Sequence, residues 1–159
     1  MKVVVTGANG FLGKNLCVFL RETKQHDVIE VTRNTPTDQF LCCLNDADFI
    51  YHLAGVNRPE TVEEFQTANV DFTKLIIDTL IKSGCKAPIM YSSSSQVELD
   101  NPYGRSKLKA EELIQSYSEI TGAQNYIYRF PNLFGKWSKP NYNSFVATFC
   151  NNILHDIDI

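Results

Sequence analysis

Apolar runs of strand length alternate along this chain with stretches in which apolar residues recur at helical spacing. That alternation predicts a parallel sheet whose strands are joined by helices. Val3-Val4-Val5 is a β-branched run of the kind buried on both faces of such a sheet. Leu12, Leu16, Phe19 and Leu20 then form one helical stripe, and a second strand follows from Val28 to Thr32. The segment from Pro36 to Asn45 predicts a short helix, ahead of a third strand at Phe49-Ile50-Tyr51-His52-Leu53. Phe65, Asn69, Phe72, Ile76 and Leu80 share one face of a longer helical stretch that Gly84 breaks. Ile89-Met90-Tyr91-Ser92 is the fourth strand, and Ala110, Leu113, Ile114 and Tyr117 mark a helix ending near Gly122. Tyr126 to Phe130 is the fifth strand, and the chain turns helical again from Phe145.

Roughly 15 residues separate the second strand from the third, which leaves room for one helix but not for a further strand with its own helix. With right-handed crossovers this predicts a doubly wound parallel α/β sheet of order 2-1-3-4-5, with a ligand at the C-terminal strand ends beside the first strand. No repeat, low-complexity tract or linker divides residues 1–159, so one domain is expected.

Composition narrows the partners. With 43% hydrophobic and 21% charged residues the chain is ordinary globular protein. A net charge of −3 gives no sign of a polyanion-binding surface, so no nucleic acid partner is expected. No apolar run approaches the roughly 20 residues of a membrane span, and the N-terminus already reads as a strand rather than a secretory signal, so the expectation is a cytoplasmic protein with no membrane partner. The five cysteines, Cys17, Cys42, Cys43, Cys85 and Cys150, lack metal-ligand spacing and read as reduced, mostly buried thiols, and no metal site is expected. Cys42-Cys43 reads either as a redox pair or as two small apolar residues on a helix.

The first strand runs straight into Thr6-Gly7-Ala8-Asn9-Gly10-Phe11-Leu12-Gly13. Glycines at i, i+3 and i+6 let the backbone turn tightly, approach a pyrophosphate and pack the next helix closely on the strand. The free amides of a helix N-terminus suit phosphate. Gly7, Asn9, Gly10, Phe11, Leu12 and Gly13 are therefore candidate dinucleotide contacts. The spacing differs from G-x-G-x-x-G, and taken alone it leaves a ligand-free turn open. A site for NAD usually places a carboxylate at the end of the second strand. Here Glu30 falls inside the strand, while the tip carries Thr32 and Arg33. A guanidinium at that tip pairs with a ribose 2′-phosphate, so NADP(H) is the expected cofactor and Arg33 its selector; the alternative is a solvated surface arginine.

Asn101 and Pro102 read as an N-cap and first helical position, which puts Tyr103 and Lys107 on one face in the first turns of a helix. A neighbouring ammonium favours the phenolate and is expected to bring the tyrosine toward working range. Ser94, at the end of the fourth strand, can hold a carbonyl oxygen beside that phenol. Leu53-Ala54-Gly55 ends the third strand, where a small backbone can lie against a cofactor or simply turn. Asn69 is read either as bonding backbone groups near the site or as capping a broken helix. Arg129 and Asn132 flank Pro131 after the fifth strand and read as phosphate ligands or as loop stabilisers. His52 is expected to be a core strand residue rather than an acid. Trp137, beside Lys136 and Lys139, either stacks a base or packs.

Taken together, these residues resemble the extended short-chain dehydrogenase/reductases that act on nucleotide sugars, with a Rossmann-like sheet. The matching pieces are the glycine turn, His52-Leu53-Ala54-Gly55, Asn69-Val70, Ser92-Ser93-Ser94, Tyr103-Gly104-Arg105-Ser106-Lys107 and Arg129-Phe130-Pro131-Asn132-Leu133-Phe134-Gly135, in family order over almost the whole chain. The longer strings His52-Leu53-Ala54-Gly55-Val56-Asn57-Arg58-Pro59 and Pro131 to Trp137 resemble the members that reduce UDP-linked 4-keto-6-deoxy amino sugars for capsular polysaccharide. The resemblance implies that Tyr103 is the acid-base, Lys107 its partner and ribose ligand, and Ser94 the carbonyl holder. It implies a UDP-sugar substrate facing Ser94, Asn132, Asn141 and Asn143, with Leu53, Ala54, Gly55, Asn69 and Arg129 lining the cofactor.

Two departures stand out. Most relatives carry an extra strand and helix between the second and third strands, with an acidic adenine contact that has no counterpart here. Such enzymes also continue into a sugar-binding lobe and a metal-binding cupin domain, so this chain reads as an NADP-binding lobe with the substrate lobe truncated, and homo-oligomers are expected through the full-length protein. A 4,6-dehydratase would carry an acid pair after the serine, where this chain has Ser95-Gln96. An epimerase has little need of NADP selectivity, and a non-catalytic dinucleotide sensor would have lost Tyr103.

Overall fold

The computed structural model describes residues 1–159. Five strands, β1 (Lys2–Thr6), β2 (Asp27–Val31), β3 (Phe49–His52), β4 (Ile89–Ser94) and β5 (Asn125–Phe130), form one parallel sheet in the order β2-β1-β3-β4-β5. This is the predicted doubly wound, Rossmann-like order, with the break in strand succession beside β1. The strand ends are aligned: Thr6 pairs with Val31 on one side and His52 on the other, and Ser94 pairs with Phe130.

The sheet is covered unequally. On one face α2 (Thr37–Leu44), α4 (Phe72–Ser83) and α5 (Pro102–Thr121) enclose a cluster of 17 buried residues that includes Val4, Leu44, Ile50, Leu80, Ile89, Tyr91, Ile114 and Tyr117. On the other, α1 (Phe11–Thr23) closes a cluster of five: Val3, Val5, Ala8, Cys17 and Leu20. The alternation of Val3 and Val5 against Val4 divides β1 between the two cores, which is why the run is apolar throughout. The last helix, α6 (Phe145–Leu154), buries none of its residues.

Several boundaries differ from the sequence reading. β3 stops at His52, and, two residues on, the Ala54 amide donates to the Thr6 hydroxyl in place of a ladder carbonyl. The helical stretch before Gly84 is three pieces: a short turn α3 (Glu63–Phe65), a π-helical turn Gln66–Asp71, and α4. The wide turn contains Asn69, whose side chain bonds outside the helix. All five cysteines are free, but only Cys17 and Cys43 are buried; Cys85 is half-buried and Cys42 and Cys150 are exposed. The expectation of mostly buried thiols fails because adjacent helical positions such as Cys42 and Cys43 face different ways. No helix is long and apolar enough to cross a membrane, and no cluster of His, Cys, Asp or Glu is arranged to hold a metal ion.

Candidate functional site

The corner between β1 and α1 is shaped by missing side chains. Gly7 has φ +70°, and a Cβ there would lie 2.7 Å from the Ala54 amide nitrogen. At Gly13 a Cβ would lie 2.2 Å from the Gly7 carbonyl oxygen. Helix α1 therefore packs on the Gly7–Ala8 turn at a separation no other residue permits. Its N-cap, Gly10, offers no side-chain bond, and its first turn holds no acidic residue. The amides of Phe11, Leu12 and Gly13 thus end in an uncapped positive pole, suited to a diphosphate. Asn9 and Gly10 are exposed on the rim, and Leu53 and Ala54 form the opposing wall.

At the tip of β2, Arg33 is exposed and enters no ion pair. Glu30, one residue before the strand end, is taken by Arg21 of α1 at 2.5 Å. The Glu30 carboxylate thus faces the helix and not the strand tip.

Across the cleft, β4 delivers Ser94 and α5 delivers Tyr103 and Lys107. The Asn101 side chain accepts from the Gly104 amide at 2.7 Å and Pro102 fills the first turn, as the cap signal predicts. Gly104 lies against the 3-10 turn Ser95–Glu98: a Cβ there would sit 2.1 Å from the Gln96 carbonyl oxygen. This close approach brings Tyr103 to the end of β4, where Ser94 accepts from the Gln96 amide and lies beside the phenol. The Phe65 ring covers the tyrosine ring at 5.8 Å.

Burial raises the Tyr103 phenol above its ordinary value, and the Ser94 hydroxyl offsets only part of the rise. The sequence expectation that the phenol is drawn toward neutrality is therefore corrected: burial disfavours the phenolate, and Tyr103 holds its proton. Lys107 is itself buried. Burial lowers it to about 8, against an upward pull from Glu111. Its Nζ rests over the Tyr91 ring at 4.4 Å and forms no ion pair. It also lies 3.5 Å from where a Gly55 Cβ would be, which leaves the ammonium facing an open backbone.

Hydrogen bonds connect the two walls. The Ala54 amide donates to Thr6 Oγ1 and the Thr73 hydroxyl donates to the Asn69 carbonyl. His52 bridges Thr6 Oγ1 at 2.8 Å through Nδ1 and Thr73 Oγ1 at 2.9 Å through Nε2. Because the only Thr73 hydroxyl proton goes to Asn69, His52 must donate from Nε2 and accept from Thr6 at Nδ1. Burial lowers His52 to about 3, so it is neutral, a core residue as expected. Asn69 then accepts from the Val56 amide and donates to the Val56 carbonyl and to Ser106 Oγ, which donates to the Tyr103 carbonyl. Asn69 is thus the backbone-bonding residue of the two alternatives, and both its amide protons are used.

Arg129 departs from expectation. It lies within β5, and its Nε and Nη2 donate to the buried Glu111 carboxylate at 3.1 and 2.7 Å. Two of its nitrogens are thus engaged in this pair, while the side chain stays part-exposed. Ser93 Oγ also donates to Glu111, which is 2% exposed. Glu111 follows Lys107 by one helical turn. Sequence reading missed it; the signal was an acid on the apolar side of α5, in register with Tyr103 and Lys107.

After β5, the loop folds back toward the glycine corner. Asn15 of α1 donates to the Lys136 carbonyl at 2.8 Å, and the Phe11 ring lies 3.9 Å from a Gly135 Cβ position. Trp137 is part-exposed at φ +68° with the Lys136 ammonium over its ring, so it is not packed in a core. Asn132, Asn141 and Asn143 are exposed and line one groove.

The profile of the NAD dependent epimerase/dehydratase family matches residues 3–159. The chain is 50% identical over its whole length to a UDP-2-acetamido-2,6-beta-L-arabino-hexul-4-ose reductase from Pseudomonas aeruginosa, of which it covers 43%. Its structure superposes on the capsular polysaccharide assembling protein CapF from Staphylococcus aureus with a TM-score of 0.87 and 50% identity, covering 100% of this chain and 43% of that one. A UDP-glucuronic acid 4-epimerase from Bacillus cereus in complex with NAD shares the fold, with a TM-score of 0.85 at 20% identity over 99% of this chain and 65% of the other. The chain thus spans less than half the length of the first two relatives.

Proposed function

The chain belongs to the NAD dependent epimerase/dehydratase family, and from that premise we propose that it carries the cofactor corner and proton donor of an NADPH-dependent reductase. The reaction is reduction of the C4 keto group of a UDP-linked 4-keto-6-deoxy-N-acetyl amino sugar. The observation that carries this reading is the meeting of Ser94, a protonated Tyr103 and an ammonium at Lys107 opposite an uncapped glycine corner. The 50% identity to the Pseudomonas aeruginosa reductase supports the substrate class. Arg33 without a carboxylate partner, and Glu30 tied to Arg21, support NADPH over NADH.

A dinucleotide fits this cleft. The α1 amides would hold the diphosphate, the Gly7–Ala54 contact leaves the backbone bare, and Lys107 faces Gly55 with a cation free for ribose hydroxyls. When bound, the nicotinamide supplies the hydride. Ser94 Oγ donates to the carbonyl oxygen and polarises it, and Tyr103 passes its phenolic proton to that oxygen as the alcohol forms. A phenol raised by burial retains its proton until an alkoxide, a far stronger base, develops beside it.

The test is Tyr103→Phe, read in two assays. Consumption of NADPH with the keto sugar is expected to fall at least about 10²-fold, the range for removal of a general acid. NADPH and NADH titrations are expected to give the same affinities as the unaltered protein, with NADPH tighter. Turnover within a factor of two of normal would overturn the assigned donor, and equal affinity for the two cofactors would overturn the NADP preference.

A further inference from the structure

An ammonium on a four-carbon stem is flexible and strongly hydrated, yet Lys107 is only 4% exposed and enters no ion pair. A cation withdrawn from water either gives up its proton or meets negative potential nearby. Two groups supply that potential. The first is the Tyr91 ring of β4, whose centroid lies 4.4 Å from Lys107 Nζ. The face of an aromatic ring is its negative side. Tyr91 is 1% exposed and packs on the His52 ring at 5.2 Å, while its buried hydroxyl has no hydrogen-bond partner. An unpaired buried hydroxyl is unfavourable, so the ring face and not the hydroxyl is what this position offers Lys107.

The second group is Glu111, one helical turn beyond Lys107 on α5 and 2% exposed. Ser93 Oγ from β4 and Arg129 Nε and Nη2 from β5 hold its two oxygens. Those bonds fix the carboxylate, and its charge raises Lys107 against the lowering by burial. The other titratable groups around Lys107 are uncharged at neutral pH. His52 on β3 is lowered to about 3, and burial raises the phenols of Tyr103 and Tyr91. Arg129, the other cation nearby, is part-exposed, so water screens its charge more than that of the buried carboxylate.

We propose that Tyr91 and Glu111 are positioning residues that seat the Lys107 ammonium, the ring through its face and the carboxylate through its charge. This deepens, and rests on, the reading of Lys107 as the cation that meets the cofactor ribose. A direct ion pair would occupy the ammonium's donors. A ring face and a carboxylate tied elsewhere leave donors free toward the open backbone at Gly55, whose Cβ position is 3.5 Å from Nζ.

Nuclear magnetic resonance titration of the chain, carbon-labelled at the lysine ε position, follows the proton on Nζ directly. The Lys107 signal is the one that Lys107→Met removes, and in the unaltered protein it is expected to titrate near about 8. Glu111→Gln removes the charge and keeps the side-chain shape. It should lower that midpoint by about half to one pH unit, and Tyr91→Leu by a similar amount, whereas Tyr91→Phe should stay within about 0.2. Should Tyr91→Leu not fold, trifluorophenylalanine at position 91 replaces it, keeping the ring and withdrawing its negative face, with the same fall expected. The proposal is overturned if Glu111→Gln leaves the midpoint unchanged, if Tyr91→Phe lowers it as far as Tyr91→Leu, or if the fluorinated ring does not lower it. A merely structural role for either residue would not reproduce that split.

NADPH titrations across the same pH range separate the seat from the function it rests on. Loss of the ammonium's charge-assisted bond should weaken NADPH by about fivefold through the Lys107 midpoint, and from a lower pH in Glu111→Gln. An NADPH affinity that ignores pH, beside the expected resonance shifts, would count against Lys107 as the ribose ligand while the seat stands.

Discussion

The glycine corner and the Tyr103 pocket face each other across one cleft but are built in opposite ways. The corner comes from eight consecutive residues, Thr6 to Gly13, and works through what they lack: a Cβ at Gly7 or Gly13 would collide with backbone. The pocket gathers Ser94 from β4, Tyr103 and Lys107 from α5, Phe65 from α3 and Gly55 from the β3 loop, over a buried carboxylate at Glu111. A site made of backbone amides is secured by sterics in one stretch of chain. A site made of side chains must keep buried polar groups paired, and its cost is spread through the fold.

The sharpest way to break this contrast is Glu111→Ala. It unpairs the buried Ser93 hydroxyl and empties the carboxylate site, while the part-exposed Arg129 turns to water, and should cost about 1–3 kcal/mol of stability, the range for a buried polar group left unsatisfied. Denaturant unfolding would measure it, with Glu111→Gln expected to lose less. A loss within about 0.5 kcal/mol, as for a surface change, would mean the carboxylate does not support the pocket. In the corner, Gly7→Ala meets both a positive φ and a 2.7 Å approach to Ala54. It should cost about 1–3 kcal/mol and weaken dinucleotide binding in a fluorescence titration, while the Tyr103 side of the cleft is unaffected. Unchanged cofactor affinity would show that the amides there do not hold the diphosphate.

Lys107→Met should change stability in the opposite direction. Burial lowers Lys107 from 10.5 to about 8, so the folded chain pays to keep the ammonium. The variant is expected to be about 1–3 kcal/mol more stable at pH 7 while losing sugar reduction. Between pH 8 and 10.5 the unfolded state binds the additional proton, so the unaltered protein gains stability as pH rises through that window. Lys107→Met should lack this rise, narrowing the gap between the two proteins. Unfolding curves at neutral and alkaline pH would show it, and parallel pH dependences would exclude Lys107 as its source.

The contrast also explains what could be read before the fold was known. The order of the strands, the cap at Asn101-Pro102 and the glycine turn are local or near-local features, and each stands where the pattern places it. The carboxylate partner of Arg129 was not legible, because an arginine near a strand end is equally suited to phosphate or carboxylate. Only the packing of β5 against α5 supplied Glu111. The direction of the Tyr103 shift was misjudged because one-turn spacing reveals the nearby ammonium but not the burial of the phenol. The π turn escaped notice because its residues continue the apolar helical stripe; the bonds of Asn69 to Val56 and Ser106 are long-range.

Sequence alone determined the periodicities, the caps and the places where only glycine fits, because these depend on backbone sterics and on neighbours a few positions away. Tertiary structure decided which polar groups meet in the interior: the tautomer of His52, the partner of Arg129, the protonation of Tyr103 and Lys107, and the seat of Lys107 on Tyr91. Desolvation and pairing in a low-dielectric interior set those states, and both depend on residues far apart in the chain.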